Sequence, residues 1–332
     1  MNSLLLVQYR GEDGRTRAAR VIDDGRAVET IGESTIYDLA RNAAESGRPL
    51  KEVVEARAFG DKLDYAALAA EARLLSPIGH SDHAHCLVTG TGLTHFASAA
   101  SRDKMHSAAK TGSETDSMRM YDIGVRGGRP SPNQIGAAPE WFFKGDGRAV
   151  APPGGDLLLP AFGEDGGEES EIAGLYLIRS DGTPMRIGYA LGNEFSDHKL
   201  ESRNYLYLAH SKLRSCAIGP EILVGALPDD VRGRVSVNRG PQSVWSGEFA
   251  TGEANMCHAL ANLEHHHFKY ILFRRPGDVH IHFFGAASVS YAHNVVLQSG
   301  DTVEISAPPF VQPLRNTLRA VADEGLVSVA AL

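Results

Sequence analysis

The chain has 332 residues, 42% of them hydrophobic and 22% charged, an ordinary globular composition with length for one large domain or a small one plus a larger one. Its 33 basic and 41 acidic residues leave a net charge of −8, which argues against nucleic acid as the main partner. No apolar run approaches a membrane span, the opening MNSLLLVQYR is too short for a signal-peptide core, and Cys86, Cys216 and Cys257 form no C-x-x-C and cannot all pair, so no membrane partner and a reducing cytoplasm are expected.

Residues 1–75 read as a small α/β unit. Leu4 to Tyr9 and Ala18 to Ile22 have strand character around the turn Glu12-Asp13-Gly14, while Thr35 to Ala44 and Asp64 to Leu75 repeat Ala and Leu at helical spacing. Ser76-Pro77-Ile78 breaks that pattern and sets the expected boundary between an N-terminal domain, 1–75, and a larger one, 76–332. Next, His80, Asp82, His83 and His85 crowd a loop without the i, i+4 spacing of a helical zinc site, which favours solvent exposure. Gly90-Thr91-Gly92 lacks both a third glycine and a following Lys-Ser/Thr, so it is not a nucleotide loop. A strand over Cys86 to Thr89 leads into Gly92-Leu93-Thr94-His95. Residues 103–137 are polar and glycine-rich, either a surface loop or a lid, where Arg119, Arg126 and Arg129 either grip a carboxylate or are simply solvated. In PEWFFKGDGRAVAPPGGDLLLP, 139–160, Lys144 taken alone reads as an exposed strand lysine.

The stretch from Glu168 carries the most chemistry. Glu169, Glu171, Ala173 and Leu175 share one face of an extended segment, Ser180-Asp181-Gly182 supplies a turn, and a second apolar run follows from Met185 to Leu191. With a two-residue loop at Asp181-Gly182, Ser180 faces Thr183, Glu169 pairs with Glu194, and Glu171 lies beside them. Three converging carboxylates repel, so either their pKa values rise or a cation sits between them. The remaining alternative is a solvated acidic face beside Glu164-Asp165. Hard oxygen ligands suit Mg²⁺, Mn²⁺ or Ca²⁺ better than zinc.

The order Glu169-Ser170-Glu171, then Gly188-Tyr189-Ala190-Leu191-Gly192-Asn193-Glu194-Phe195-Ser196, then Lys212, then Gly219-Pro220 resembles the fumarylacetoacetate hydrolase superfamily. The resemblance covers about residues 76–315 and implies an α+β fold: a mixed, β-rich core with a small N-terminal α/β domain. It implies Glu169, Glu171 and Glu194 as ligands of Mg²⁺, with Mn²⁺ or Ca²⁺ as alternatives, and Lys212 as the catalytic lysine beside the metal. Glu194 stands where the family usually has Asp, one methylene shorter. His95 is the nearest match to a catalytic histidine, although the usual N-Y-x-x-H is absent. Lys144, Arg119, Thr94, Ser196, Phe283 and Gly285 are the residues expected to face substrate.

Downstream, Ile222 to Val224, Val231 to Val237, Val244 to Phe249, Tyr270 to Phe273, Val279 to Phe284, Val295 to Leu297 and Val303 to Ile305 read as short strands. Residues 255–267 form the expected helix, with His265-His266-His267 as structural residues near its carbonyl pole. Arg275 to Gly285 is similar to the family's P-G-D strand, but His282-Phe283-Phe284-Gly285 replaces the T-G-T-P that normally follows. His280 and His282 alternate onto one face, which gives that strand a polar surface.

The pieces allow proton removal at C3 of a 2-keto acid, with a divalent ion on the carboxylate and keto oxygens and a lysine as proton carrier. Because the water-activating motif and the third ligand are altered, elimination is expected over hydrolysis. The nearest branch by resemblance is the 2-keto-3-deoxy-pentonate dehydratases, which convert 2-keto-3-deoxy-L-arabinonate or a related pentonate to 2,5-dioxopentanoate in pentose catabolism. A C–C hydrolase of a 2,4-diketo acid and a non-catalytic sugar-acid-binding protein are the alternatives. By resemblance, the chain is expected to form a homodimer or larger homo-oligomer.

Overall fold

The chain begins as a meander: β1 (Leu4–Arg10), β2 (Thr16–Val21) and β3 (Arg26–Thr30) pair in sequence, each antiparallel to the last. The computed structural model describes residues 4–30, 35–97, 115–287 and 289–332. The helix Ile36–Ser46 forms as the sequence predicts, because Thr35 caps it through the Asp38 amide and Ile36, Leu39, Ala40, Ala43 and Ala44 make one buried stripe. Asp64 to Leu75 is not one helix. It divides into the end of β4 (Phe59–Asp64), a short helix Tyr65–Ala70 and β5 (Leu74–Leu75). Ala72 adopts a positive φ of 52°, which ends helical propagation and turns Leu74 and Leu75 onto Tyr9 and Gln8 of β1.

The first strands do not stand apart. β1 pairs with β13 (Glu221–Val224), so the meander continues a large sheet in the order β4-β3-β2-β1-β13-β11-β10-β16-β6-β7. Here β6 is Cys86–Gly92, β7 Glu140–Asp146, β10 Ser170–Ile178, β11 Pro184–Asn193 and β16 Val279–Phe283, while the short β8 (Val150–Ala151) and β12 (Cys216–Ile218) pair beside β11. A second sheet, β15-β14-β17-β18-β9, uses Gln242–Thr251, Val231–Arg239, Asp301–Ser306, Leu314–Ala320 and Asp156–Leu159. Tyr189, Leu191, Val235, Val303 and Leu318 pack the space between the sheets, and Leu175, Ile281, Leu39 and Val54 pack the other face of the first sheet beneath the helices. This is the mixed, β-rich α+β fold expected. β10 is buried along its whole length, so its sequence lacks the alternation of a half-exposed strand.

Three expectations are corrected here. Tyr270 to Phe273 is no strand; Ile271–Phe273 makes a short 3₁₀ turn with Ile271 and Leu272 about four-fifths exposed. Val295 to Leu297 finds no ladder either and remains irregular. Within the segment read as loop or lid, Asp116–Gly127 is helical, capped by Thr115; only Ser117 and Gly124 of it are buried, so it carries no apolar stripe to announce itself. The earlier part of that segment, through residue 114, lies outside the described residues. Among the described residues no helix is long and apolar enough to cross a membrane.

Candidate metal centre

The β10–β11 hairpin sets the site, by a route the sequence only half reveals. Its loop is one residue longer than expected: Arg179 N–H donates to Thr183 O (2.9 Å), and Ile178 faces Pro184. A β-bulge follows, because Leu175 faces Gly188 while Tyr176 faces Arg186, leaving Ile187 as the extra residue. The longer loop and the bulge cancel. The ladder then runs in the expected register, Glu171 facing Gly192 and Ser170 facing Asn193, and the Glu194 amide donates to Glu169 O (3.0 Å). Pairing continues past the strand ends, where Gly167 and Ser196 exchange hydrogen bonds of 2.9 and 3.0 Å.

That register gathers the three acids. Oxygens of Glu169, Glu171 and Glu194 lie within 4.8 Å of one another, and all three side chains are buried. The solvated-face alternative is thereby removed. Two lysines compensate them. Lys212 Nζ reaches Glu169 Oε1 (2.5 Å), Glu194 Oε2 (2.7 Å) and Ser196 Oγ (3.1 Å), and lies 4.8 Å from the centre of the Phe142 ring. Lys144 is no exposed strand lysine; it is buried, with Nζ 2.7 Å from Glu194 Oε1 and donating to Phe195 O and Lys212 O. An ammonium has three N–H groups, and each of these has a protein acceptor.

The carboxyls respond differently. Burial opposes charge on Glu169, but Lys212 and His198 outweigh it and hold this group well below the usual range. Burial lifts Glu194, against the pull of Lys144 and Lys212. Burial and then repulsion by Glu194 and Glu169 push Glu171 well above the usual range. Burial also opposes charge on Lys212, yet Glu169 and Glu194 raise its pKa. Glu171 Oε2 accepts from the Gly285 amide (2.7 Å), whereas Oε1 is buried with no hydrogen-bond partner. An orphaned buried oxygen amid a triad of hard donors fits a divalent cation, the oxygen-only set favouring Mg²⁺, Mn²⁺ or Ca²⁺.

The other predicted residues divide. Ser196 belongs to the cluster, donating to the Glu194 backbone O (3.0 Å) as well as receiving Lys212. Gly285 borders it; φ is +102°, and a Cβ there would come within 2.2 Å of Thr94 Oγ1, so only glycine lets this amide reach Glu171. Thr94 is buried beside it and donates to Phe284 O. Phe283 is buried under the hairpin, its ring where a Cβ on Gly192 would be. His95 is fully buried with Nδ1 3.0 Å from Thr94 Oγ1 and Nε2 2.8 Å from Thr251 Oγ1, and burial lowers its pKa to about 3. An imidazole so engaged is a poor proton carrier, and a catalytic role for it gains no support. Arg119 lies on an exposed helix, paired with Asp116 at 3.1 Å, and a substrate role gains none there.

The sequence reading missed His198, Asp165 and Glu168. His198 is buried between Glu169 Oε1 (3.0 Å) and Asp165 Oδ2 (3.7 Å), and Glu168 accepts from the Ser290 amide (2.7 Å) and hydroxyl (2.6 Å). The register held the signal: the count that pairs Glu169 with Glu194 also sets Gly167 against Ser196 and Asp165 against His198.

No family model matches the chain. A probable 2-keto-3-deoxyxylonate dehydratase of Haloferax volcanii is 34% identical over 95 residues, 28% of this chain; the match spans 30% of that relative's length. Among solved structures, a 2-keto-3-deoxy-D-arabinonate dehydratase complexed with magnesium and 2,5-dioxopentanoate is similar with a TM-score of 0.69 at 19% identity, covering 96% of this chain and 100% of the other. The 5-carboxymethyl-2-hydroxymuconate delta-isomerase of Mycobacterium smegmatis gives a TM-score of 0.59 at 18% identity over the same shares. The fold is that of these proteins, as the resemblance to the fumarylacetoacetate hydrolase superfamily implied.

Proposed function

We propose that the protein is a lyase, a metal-dependent dehydratase of a 2-keto-3-deoxy sugar acid, with a 2-keto-3-deoxypentonate as substrate and 2,5-dioxopentanoate as product. One observation carries this reading: three buried carboxylates within 4.8 Å, two of them bridged by a buried lysine. The similarity to dehydratases supports the choice of reaction. Glu169, Glu171 and Glu194 are the residues that would hold Mg²⁺, which when bound supplies electrophilic stabilisation of the charge developing on the keto and carboxylate oxygens.

Lys212 is the proton-transfer residue: Glu169 and Glu194 hold it as an ammonium, and with their charge offset by a bound divalent cation it would release the proton it must lose before acting as a base. It stands at the end of a short helix, Leu208–Lys212, with Nζ beside the acids and over the Phe142 ring. Removing a C3 proton sends the electron pair toward C2, and its return expels the C4 hydroxyl. Tautomerisation then leaves the aldehyde at C5, with one water lost overall. Lys144 holds Glu194 and the Lys212 carbonyl together, so its part is to fix the distance between ligand and base. Burial of the whole cluster excludes water that would otherwise solvate the charges and weaken their effect. The protein works as a homo-oligomer in the cytoplasm on this reading.

The test is direct. Purified protein with Mg²⁺ is given 2-keto-3-deoxy-L-arabinonate, its D-isomer and a 2,4-diketo acid, and products are read by NMR. Dehydration of a pentonate is the expected result. Cleavage of the diketo acid to pyruvate or a related acid would replace this reading with C–C hydrolysis, and binding without turnover would replace it with a sugar-acid binder.

A further inference from the structure

His198 occupies a built position. Gly167, opposite Ser196 in the extended hairpin, lies beside it, and a Cβ on Gly167 would come 2.1 Å from His198 Nδ1 and 2.4 Å from Cε1, so the imidazole lies in the space that a missing side chain leaves. From there Nε2 meets Glu169 Oε1 at 3.0 Å, hydrogen-bond distance. On the far side Nδ1 is 3.7 Å from Asp165 Oδ2, an ion-pair distance, and the Tyr291 ring lies against the imidazole at 5.4 Å between centroids. His198 and Asp165 are both buried.

These contacts complete an alternation of acidic and basic side chains: Asp165, His198, Glu169, Lys212, Glu194 and Lys144, each within 4 Å of the next. Glu171 stands outside it, with Oε1 lacking a hydrogen-bond partner, while Asp165 Oδ2 and His198 Nδ1 meet as an ion-pair contact and not as a hydrogen bond. Glu169 is thus gripped from two sides, by Lys212 and by His198, at the same oxygen.

We propose that His198, backed by Asp165, is a positioning residue that fixes the rotamer of Glu169 so that its second oxygen is presented to the bound cation. The proposal rests on the reading of Glu169, Glu171 and Glu194 as cation ligands. Partners of this kind orient ligating carboxylates, and losing one typically weakens metal affinity about 10- to 100-fold.

The experiment uses the full chain and Mn²⁺ alone as probe, with bound and free ion separated by electron paramagnetic resonance and folding followed by circular dichroism. His198→Ala is expected to weaken Mn²⁺ binding about 10- to 100-fold. His198→Gln, which keeps an N–H donor toward Glu169, is expected to recover most of that loss. Asp165→Asn is expected to weaken binding less than His198→Ala and to add nothing on top of His198→Gln. Turnover of His198→Ala is expected to rise toward the wild-type kcat at saturating Mn²⁺, which loss of a proton carrier would not allow. Wild-type affinity in His198→Ala, alongside lost binding in Glu171→Gln, overturns the role of His198 alone. Wild-type affinity in Glu171→Gln overturns the cation site itself. If His198→Ala does not fold, Asp165→Asn decides, since unchanged affinity there removes the Asp165–His198 link.

Discussion

Two clusters of buried titratable side chains sit on this one sheet, and they have opposite characters. In the acid cluster Glu169 and Glu194 face the ammonium groups of Lys212 and Lys144, while Glu171, pressed by burial and by its two like-charged neighbours, is pushed well above the usual range. In the second cluster His267, from the helix Leu260–Phe268, stacks on His282 at 4.4 Å and sets Nε2 2.9 Å from His280 Nδ1. Among the described residues no carboxylate enters that group's contacts: Trp141 Nε1 donates to His267 Nδ1 (3.3 Å) and Thr89 Oγ1 pairs with His282 Nδ1 (2.8 Å). Burial first, and then His280, lowers His282 to about 3; burial and then Arg275 lowers His280 to about 3; burial and then His282 and His280 depress His267 further still. His265-His266-His267 stand at the end of the helix, as expected of structural residues near its carbonyl pole, and His267 is the most deeply buried of the three, its pKa lowered by burial. Burial neutralises a titratable group unless the fold brings it a partner of opposite sign, and so paired opposite charge, more than the mere presence of buried histidine or glutamate, distinguishes the proposed metal centre.

The largest test of this contrast is Glu171→Gln. Mg²⁺-dependent turnover is expected to fall at least about a thousandfold with loss of cation affinity, measured by activity assay and Mn²⁺ binding. The same substitution removes the one carboxylate that the lysines leave uncompensated, so the metal-free protein is expected to gain on the order of 2 °C in Tm by calorimetry. A metal-free Tm that drops instead would show Glu171 to be compensated after all.

Lys212→Met is expected next in size. It leaves Glu169 and Glu194 without their shared cation, at a cost of about 3–5 kcal/mol to the metal-free protein, and lowers turnover about 10²- to 10⁴-fold even with saturating Mg²⁺. Denaturant titration and steady-state rates check the two halves. Retained turnover would remove Lys212 from the proton transfer.

The histidine cluster should matter to acid stability and not to chemistry. Its folded pKa values lie below the unfolded value near 6.5, so its stabilising contribution is whole above about pH 6.5 and is lost as pH falls toward 3, at up to about 1.4 kcal/mol per pH unit for each histidine. Replacing His282 with Phe is expected to flatten the decline of Tm between about pH 6.5 and 4 while leaving Mn²⁺ affinity near wild type. A slope unchanged by the substitution would mean the ring is charged when folded. The smallest expected effect is that of His95→Gln, which keeps polar contacts toward Thr94 and Thr251; turnover within about tenfold of wild type would confirm it as a support, and a larger loss in kcat alone would restore it as a catalyst.

The sequence alone carried the hairpin, the three acids, the lysine and the expected fold, because strand alternation and turn chemistry are local and the E-x-E to Gly-Pro order survives in the chain. It carried the register of Glu169 against Glu194 only through two errors that offset each other, a loop one residue too short and a missing bulge at Ile187. Burial decided the rest. Whether Lys144 lies in solvent or clasps Glu194, whether His198 reaches Glu169 across Gly167, and whether His267 is a charged helix end or a neutral core ring depend on which distant strands close over them. Those contacts join residues dozens of positions apart, and only the packed sheet brings them within the few ångströms at which charges and hydrogen bonds act.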